Sequence, residues 1–217
     1  MKPALLLVDL QGDFLDSNGL QPSRENLVSQ TAALLHDCRR KNIPVIHLWT
    51  TVERANDRRL PHWKKHGRWL CVAGTDGHKT PAPLQPLANE TVIPKAGFNG
   101  FAGGELDAVL QKLGCDTVIL AGLHLHTCVR TAAAESLERG LRVFMRSPAM
   151  TRFMPPPRAA GLRNAVLNLL TQMKFYRGSP ETRRPGWFII RLVKREKSCL
   201  KFPSPARTKF PWPPRPR

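Results

Sequence analysis

Residues 117–139 read TVILAGLHLHTCVRTAAAESLER, and this stretch decides the fold. Thr117–Ala121 is a short β-branched, apolar run of the kind that forms a buried strand. Gly122 and Leu123-His124-Leu125-His126-Thr127 follow as a turn, and from Cys128 to Arg139 the chain is rich in Ala, Leu, Glu and Arg, a helical composition closed by Gly140. Strand, turn and cysteine at a helix N-terminus is a layout that favours thiolate over thiol, because unpaired amides and the positive end of the helix dipole face the sulfur. The same amides can receive an oxyanion. Taken alone, Cys128 reads as a small buried residue at a tight junction.

Two further segments repeat the pattern of an apolar run ending in a polar, reactive side chain. Ala4–Val8 is continuous apolar sequence ending at Asp9, and Thr91–Pro94 leads to Lys95 and the Gly-rich Ala96-Gly97-Phe98-Asn99-Gly100. Singly, Asp9 reads as a helix cap and Lys95 as an exposed strand end. Together with Cys128 they are three strand ends carrying an acid, a base and a nucleophile, where open parallel sheets place their chemistry.

Working outward, helices are expected at about Glu25–Lys41, Glu105–Leu113 and Cys128–Arg139. Strands are expected at Ala4–Val8, Val45–Trp49, Thr91–Lys95, Thr117–Ala121 and Leu141–Met145, with a long irregular stretch at Thr50–Ala88. The alternation predicts an α/β fold, an open parallel sheet with helices on both faces in three layers. Right-handed crossovers put the C-terminal strand ends, and so Asp9, Lys95 and Cys128, on one edge.

The blocks LLLVDLQGDF (5–14), CVAGTDGH (71–78), VIPKAGFNGF (92–101) and LDAVLQKLGCDTVILAGLHLHTCVRTAA (106–133) together resemble the isochorismatase-like cysteine hydrolase superfamily, which includes nicotinamidases and N-carbamoylsarcosine amidase. The resemblance covers about residues 3–146. It implies a catalytic triad of Asp9, Lys95 and Cys128, a cis peptide at Leu123–His124, an oxyanion hole from the N–H groups of His124 and Cys128, and assembly as a homo-oligomer. The implied activity is a metal-independent cysteine hydrolase, cleaving the C–N bond of a small amide or carbamoyl substrate through a thioester. Metal-binding members carry an Asp-x-His arrangement after the second strand; here the stretch is His47-Leu-Trp-Thr-Thr-Val-Glu53, and Leu70 stands where they carry a histidine. No metal and no cofactor are therefore expected, with His62, His66 and His78 as loop or pocket residues. Phe14, Trp49, Phe98 and His126 are candidate pocket residues. Arg54, Arg58, Arg59, Trp63 and Trp69 either wall the pocket, which would favour an acidic substrate, or cover the sheet edge.

Charge and proline divide the chain near residue 146. Up to Met145 there are 17 Lys and Arg against 14 acids; from Arg146 onward 17 stand against two, Glu181 and Glu196, so +15 of the net +18 lies in the last third. Twelve of the 20 prolines also fall there. Residues 1–146 are taken as the hydrolase domain and 147–217 as an atypical basic, proline-rich region. Within it Ala159–Met173 has a helical pattern and Phe188–Val193 a strand pattern, while Phe202–Arg217 shows no periodicity and is expected to be disordered or polyproline-like. Either the first two complete the sheet, or the sheet ends at its fifth strand, which the run Pro155–Pro157 favours. The tail is a polyanion-binding extension, a degraded end of the fold, or a divergent stretch of a gene model. The first keeps an alternative alive: an impaired scaffold that binds nucleic acid or another polyanion. No apolar run reaches the roughly 20 residues that span a bilayer, and Met1-Lys2-Pro3 runs directly into the first strand, so a signal peptide is not expected. Five cysteines without close pairing suit a reducing, cytoplasmic setting.

Overall fold

The computed structural model describes the backbone of residues 1–150, 152–153, 175–176 and 187–190, and the side chains of residues 1–145. In chain order the elements are β1 (Pro3–Val8), α1 (Gly12–Leu15), β2 (Leu20–Gln21), α2 (Arg24–Arg40), β3 (Val45–Thr50), α3 (Pro61–Lys65), β4 (Thr91–Lys95), α4 (Glu105–Lys112), β5 (Thr117–Gly122), α5 (Cys128–Glu138), β6 (Arg142–Met150), β7 (Arg152–Phe153), β8 (Phe175–Tyr176) and β9 (Trp187–Ile190).

Five strands run parallel in the order β4-β3-β1-β5-β6. From β1 the chain winds outward through β3 to β4, then returns to the other side of β1 for β5 and β6. The topological switch point is thus the crevice beyond β1 and β5, where doubly wound sheets bind ligands. β5 is buried at every position, as a central strand covered on both faces must be.

Strand alternation sorts the core into two layers. Ala4, Leu6 and Val8 of β1, Ile46 and Leu48 of β3 and Val118 and Leu120 of β5 pack against Leu106 and Leu110 of α4 and Val129, Ala132 and Ala133 of α5. Leu5, Leu7, Val45, Ile119 and Ala121 point the other way, onto α2 and onto Trp63, Val72 and Leu84 of the long insertion. α2 shows why these helices form: the Ser23 hydroxyl caps the Asn26 amide, Glu25 sits in the first turn, Arg39 and Arg40 in the last, and the spacing of Leu27, Thr31, Leu34, Leu35 and Cys38 makes one buried stripe. Each fully buried leucine contributes about 1.5–3 kcal/mol.

The C-terminal edge departs from the expectation that the sheet ends at its fifth strand. β9 pairs antiparallel with β6, Ile190 opposite Val143, and β8 pairs antiparallel with β9. The strand expected at Phe188–Val193 is therefore present as Trp187–Ile190; its two aromatic and two β-branched residues suit a strand. Ala159–Met173, Pro155–Pro157 and Phe202–Arg217 lie outside the described residues. The stretch Thr50–Ala88, read as irregular, contains α3 and two short 3₁₀ turns, Asp76–His78 and Ala82–Leu84, and is closed on itself by a parallel bridge between Val52 and Val72.

Candidate active site

β1, β3, β4 and β5 end together, and their last residues build the site. Asp9 leaves β1 in the left-handed region at φ 55, a conformation Asp tolerates better than most residues. Thr50 ends β3, Lys95 ends β4, and the two are paired neighbours in the sheet. Thr50 and Lys95 continue the face of Leu48 and Ile93, against which Cys128 also packs. Asp9, Lys95 and Cys128 are buried, at 0, 7 and 5% exposure. Gly122 lets the β5 end come this close: its φ is +144, and a Cβ there would overlap the Val8 carbonyl.

One ammonium joins the three expected residues. Lys95 Nζ donates to Asp9 Oδ2 at 3.0 Å, to Thr50 Oγ1 at 2.9 Å, to the Gly97 carbonyl at 3.1 Å and to Cys128 Sγ at 3.6 Å. Asp9 Oδ1 accepts from the Thr50 hydroxyl at 2.7 Å and the Thr50 amide at 3.2 Å. Burial pushes the Asp9 carboxyl up, but the Lys95 ammonium, the Cys128 hydrogen bond, His124 and the Thr50 hydroxyl outweigh it and hold the group below its ordinary range. Burial pulls Lys95 down, and Asp9 with Cys128 more than restores it. Both are therefore ionised.

Cys128 does not rest as a thiolate. Burial first, and the Asp9 charge second, push its thiol up to about 12, against the opposing pull of Lys95 and Thr127. The helix N-terminus is where the sequence puts it, but the negative charge of the group is already on Asp9, and a second one beside it is disfavoured.

The turn before Cys128 also differs from expectation. Leu123–His124 is a trans peptide; among the described residues the cis bond is Gln21–Pro22. The reversal is made by dihedrals instead, with Gly122 at φ 144 and His124 at φ 63, which avoids the roughly 2.5–4 kcal/mol of a non-proline cis bond. The His124 carbonyl accepts from Thr127 and Val129 amides. Among the described residues no acceptor takes the N–H of His124 or of Cys128.

Of the candidate pocket residues, Phe14 and His126 come together with His124: the Phe14 and His124 rings meet edge-on at 4.7 Å, and His124 and His126 lie 6.2 Å apart. Burial lowers the pKa of both histidines and keeps them neutral near pH 7. Phe98 is 42% exposed on the loop after Lys95. Trp49 alternates to the other face of β3, its ring edge-on to His78 at 5.3 Å. Of the insertion residues, Trp63 is buried against Phe14, while Arg59 and Arg54 lie over Trp69 at 3.6 and 4.9 Å and Arg59 also forks onto Asp57. Arg58 is exposed. Arg54 and Arg59 thus cover an indole, and they give no support to an acidic substrate.

Two of the buried or half-buried histidines have other partners. His47 is buried against Glu90, which also takes a two-pronged bond from Arg39; His78 pairs with Thr51 at 3.0 Å; His62 and His66 are exposed. Among the described residues no three metal-ligating side chains converge.

Sequence reading missed Thr50 and Gln11. Gln11 is fully buried and donates both amide hydrogens to backbone carbonyls, of Thr50 at 2.8 Å and of His78 at 2.8 Å, tying β3 to the insertion. Its signal was a polar side chain two residues past a buried strand end. For Thr50 it was a hydroxyl at the end of the strand between those that carry Asp9 and Lys95.

The isochorismatase domain family matches residues 3–174 of this chain. The chain belongs to the isochorismatase family. The match runs past residue 146, where charge and proline content change. An N-carbamoylsarcosine amidase from Thermoplasma acidophilum has the same fold at a TM-score of 0.62 and 29% identity, over 76% of this chain and 93% of that one. A nicotinamidase/pyrazinamidase from Bacillus subtilis superposes at a TM-score of 0.63 and 22% identity, over 76% and 94%, a likeness of fold alone. Among curated relatives, enterobactin synthase component B of Escherichia coli (strain K12) is 28% identical over 70% of this chain and 53% of its own length, so the chain spans about half of that relative. Maleamate amidohydrolase of Pseudomonas putida is 28% identical over 66% of this chain and 70% of that protein. No helix among the described residues is long and apolar enough to cross a membrane.

Proposed function

We propose that this protein is a cysteine hydrolase that cleaves the C–N bond of a small amide or carbamoyl compound through a thioester on Cys128, with Asp9 as base and acid and Lys95 as the charge that stabilises the thiolate. The observation that carries the reading is Lys95 Nζ, within reach of both the Asp9 carboxylate and the Cys128 sulfur. The names of two relatives, an N-carbamoylsarcosine amidase and a maleamate amidohydrolase, support the substrate class.

The resting trio is Asp9 carboxylate, Cys128 thiol and Lys95 ammonium. As substrate enters, the thiol proton passes to Asp9 and the sulfur attacks the carbonyl carbon. A C–S bond forms and the carbonyl π pair moves to oxygen. The free N–H groups of Cys128 and His124 receive that oxyanion. Collapse expels the nitrogen, which leaves with the proton held by Asp9. Water then attacks the thioester as Asp9 takes its proton, the C–S bond breaks, and the sulfur recovers the proton as thiol.

The reading assigns no step to a metal ion. The test is ammonia release from a panel of simple amides, ureido acids and nicotinamide, with and without EDTA. The reading expects hydrolysis of at least one member, undiminished by EDTA, and its loss in Cys128→Ala and Cys128→Ser. Full activity in Cys128→Ala would sink the thioester route.

A further inference from the structure

Thr50 sits between the carboxylate and the ammonium of the site, and its hydroxyl can be oriented in only one way. Lys95 Nζ is 2.9 Å from Thr50 Oγ1 and carries only donors, so it must donate to a Thr50 lone pair. The single hydroxyl hydrogen is then left for Asp9 Oδ1, 2.7 Å away. The Thr50 amide also donates to Oδ1, at 3.2 Å, and Lys95 lies 3.0 Å from it. Both lone pairs of Oδ1 are therefore taken by Thr50, one by its hydroxyl and one by its amide. Oδ2 meets Lys95 at 3.0 Å and neither donor of Thr50.

We propose that Thr50 is a positioning residue that saturates one oxygen of Asp9 and so makes Oδ2 the atom that exchanges the proton with Cys128. The inference rests on the cysteine-hydrolase reading and adds a fourth residue to it. Thr50 is well held for the task. It is 4% exposed, its carbonyl is bound by Gln11 at 2.8 Å, and it pairs with Lys95 across β3 and β4. Its neighbour Thr51 alternates to the opposite face and bonds His78 instead, so of the two adjacent threonines only Thr50 can serve Asp9.

The proton movement balances within the trio. The S–H bond of Cys128 breaks and an O–H bond forms at Oδ2, while Thr50 keeps its own hydrogen and only holds the carboxylate plane. Without the hydroxyl, Oδ1 becomes a second acceptor for the same proton, the carboxylate is free to turn, and the anionic form loses a donor. The groups facing Asp9 that could mask this are Lys95 on β4, Cys128 on α5, His124 in the turn before it and Cys71 from the insertion. All four remain in the variants below.

The experiment compares wild type, Thr50→Val and Thr50→Ser by ¹³C NMR titration of the Asp9 carboxyl, and by the pH dependence of kcat and KM on whichever amide of the panel is hydrolysed. Thr50→Val is expected to raise the Asp9 midpoint by about one pH unit or more, carry the acidic limb of kcat/KM with it, and lower kcat roughly 10- to 100-fold at unchanged KM. Thr50→Ser restores the hydroxyl and is expected to restore all three. A Thr50→Val protein that titrates and turns over as wild type does, or a Thr50→Ser protein as impaired as Thr50→Val, overturns the proposal. If wild type hydrolyses nothing in the panel, the functional reading fails by itself, and the Asp9 titration still decides the role of Thr50.

Discussion

Replacing Asp9 by Asn should make Cys128 more reactive toward an alkylating agent and less able to hydrolyse. In the wild-type site burial and the Asp9 charge hold the thiol up at about 12, against Lys95. The Lys95–sulfur separation is 3.6 Å. At an effective dielectric of about 20, an ammonium at that range favours thiolate by roughly 4–5 kcal/mol, or about three pH units. The Asp9 carboxylate, bonded to the same ammonium at 3.0 Å, opposes this with a charge of the other sign. Asn keeps the shape and removes the charge, so the Cys128 midpoint should fall below 12, and each pH unit of that fall raises the thiolate fraction at pH 7.5 about tenfold. The assay is thiolate absorbance at 240 nm against an Asp9→Asn/Cys128→Ser control, with peptide mapping of iodoacetamide adducts to follow Cys128 alone. Alkylation at pH 7.5 should accelerate by at least about tenfold, while amide hydrolysis falls by at least about 100-fold because no base remains to move the proton. If alkylation and hydrolysis slow together, Asp9 is generating thiolate in the resting enzyme and the charge assignment above is wrong.

Lys95→Met strands the Asp9 carboxylate in a fully buried position; breaking such a pair costs about 3–5 kcal/mol, read as a fall in Tm, and activity should vanish even at temperatures where the variant stays folded. Gly122→Ala forces a Cβ onto the Val8 carbonyl at φ +144; we expect a loss of at least about 3 kcal/mol, roughly 6–12 °C in Tm for a chain of this size, and no strain of this kind from Gly97→Ala, where nothing lies within 4 Å of an added Cβ. Acid should weaken the fold in two stages. Burial depresses His47, so its contribution is present above its ordinary 6.5 and is lost as pH falls below that value and the unfolded chain takes the proton. Glu90 is depressed to about 2, burial opposing and Arg39, the Leu87 amide and His47 prevailing, so its contribution is lost later, as pH falls from its ordinary 4.5 toward 2. Urea midpoints at pH 7.5, 5.5 and 4 should decline in order at constant m; a midpoint that is level from 7.5 to 5.5 would contradict the His47 assignment.

The fold was legible because its strands are short apolar runs that end in Asp9, Lys95 and Gly122, and because the helices carry their own caps and stripes. The trio was legible for the same reason: each member ends or follows a buried strand, and parallel strands with right-handed crossovers bring such ends to one edge. Thr50 was not, since its meaning depends on strand order. Only when β3 is known to lie between β1 and β4 does its last residue become the neighbour of both Asp9 and Lys95. The backbone of the Leu123–His124 turn was misread because two routes reverse a chain there, a cis bond or a left-handed residue, and residue identity does not choose between them. Arg54 and Arg59 looked free to meet a substrate because their partner, Trp69, is ten or more residues away in sequence. The Trp187–Ile190 strand was underestimated because proline and charge argue against regular structure on average, while four β-branched and aromatic residues suffice for one edge pairing.

The protonation state of the cysteine was the hardest property to foresee, and it explains why the site can be buried at all. A helix N-terminus and a lysine both argue for thiolate when each is considered alone. Once Asp9, Thr50, Lys95 and Cys128 are assembled, there is one fixed positive charge and one negative charge for two anionic candidates to share. Asp9 holds it at rest; in the proposed mechanism Cys128 holds it when the proton has crossed. The net charge of the buried group is zero in both states, so neither incurs the penalty of an uncompensated ion in a dry interior. Activation under that proposal is a proton transfer between neighbours that share one counter-ion. It needs no change in bulk pH and no solvent-exposed thiolate, which would be open to oxidation. Lys95 is the invariant of the exchange, bonded to carboxylate and sulfur alike, and the same geometry makes removal of Asp9 unmask the thiolate while removal of Lys95 leaves a carboxylate or a thiolate with no partner in the core.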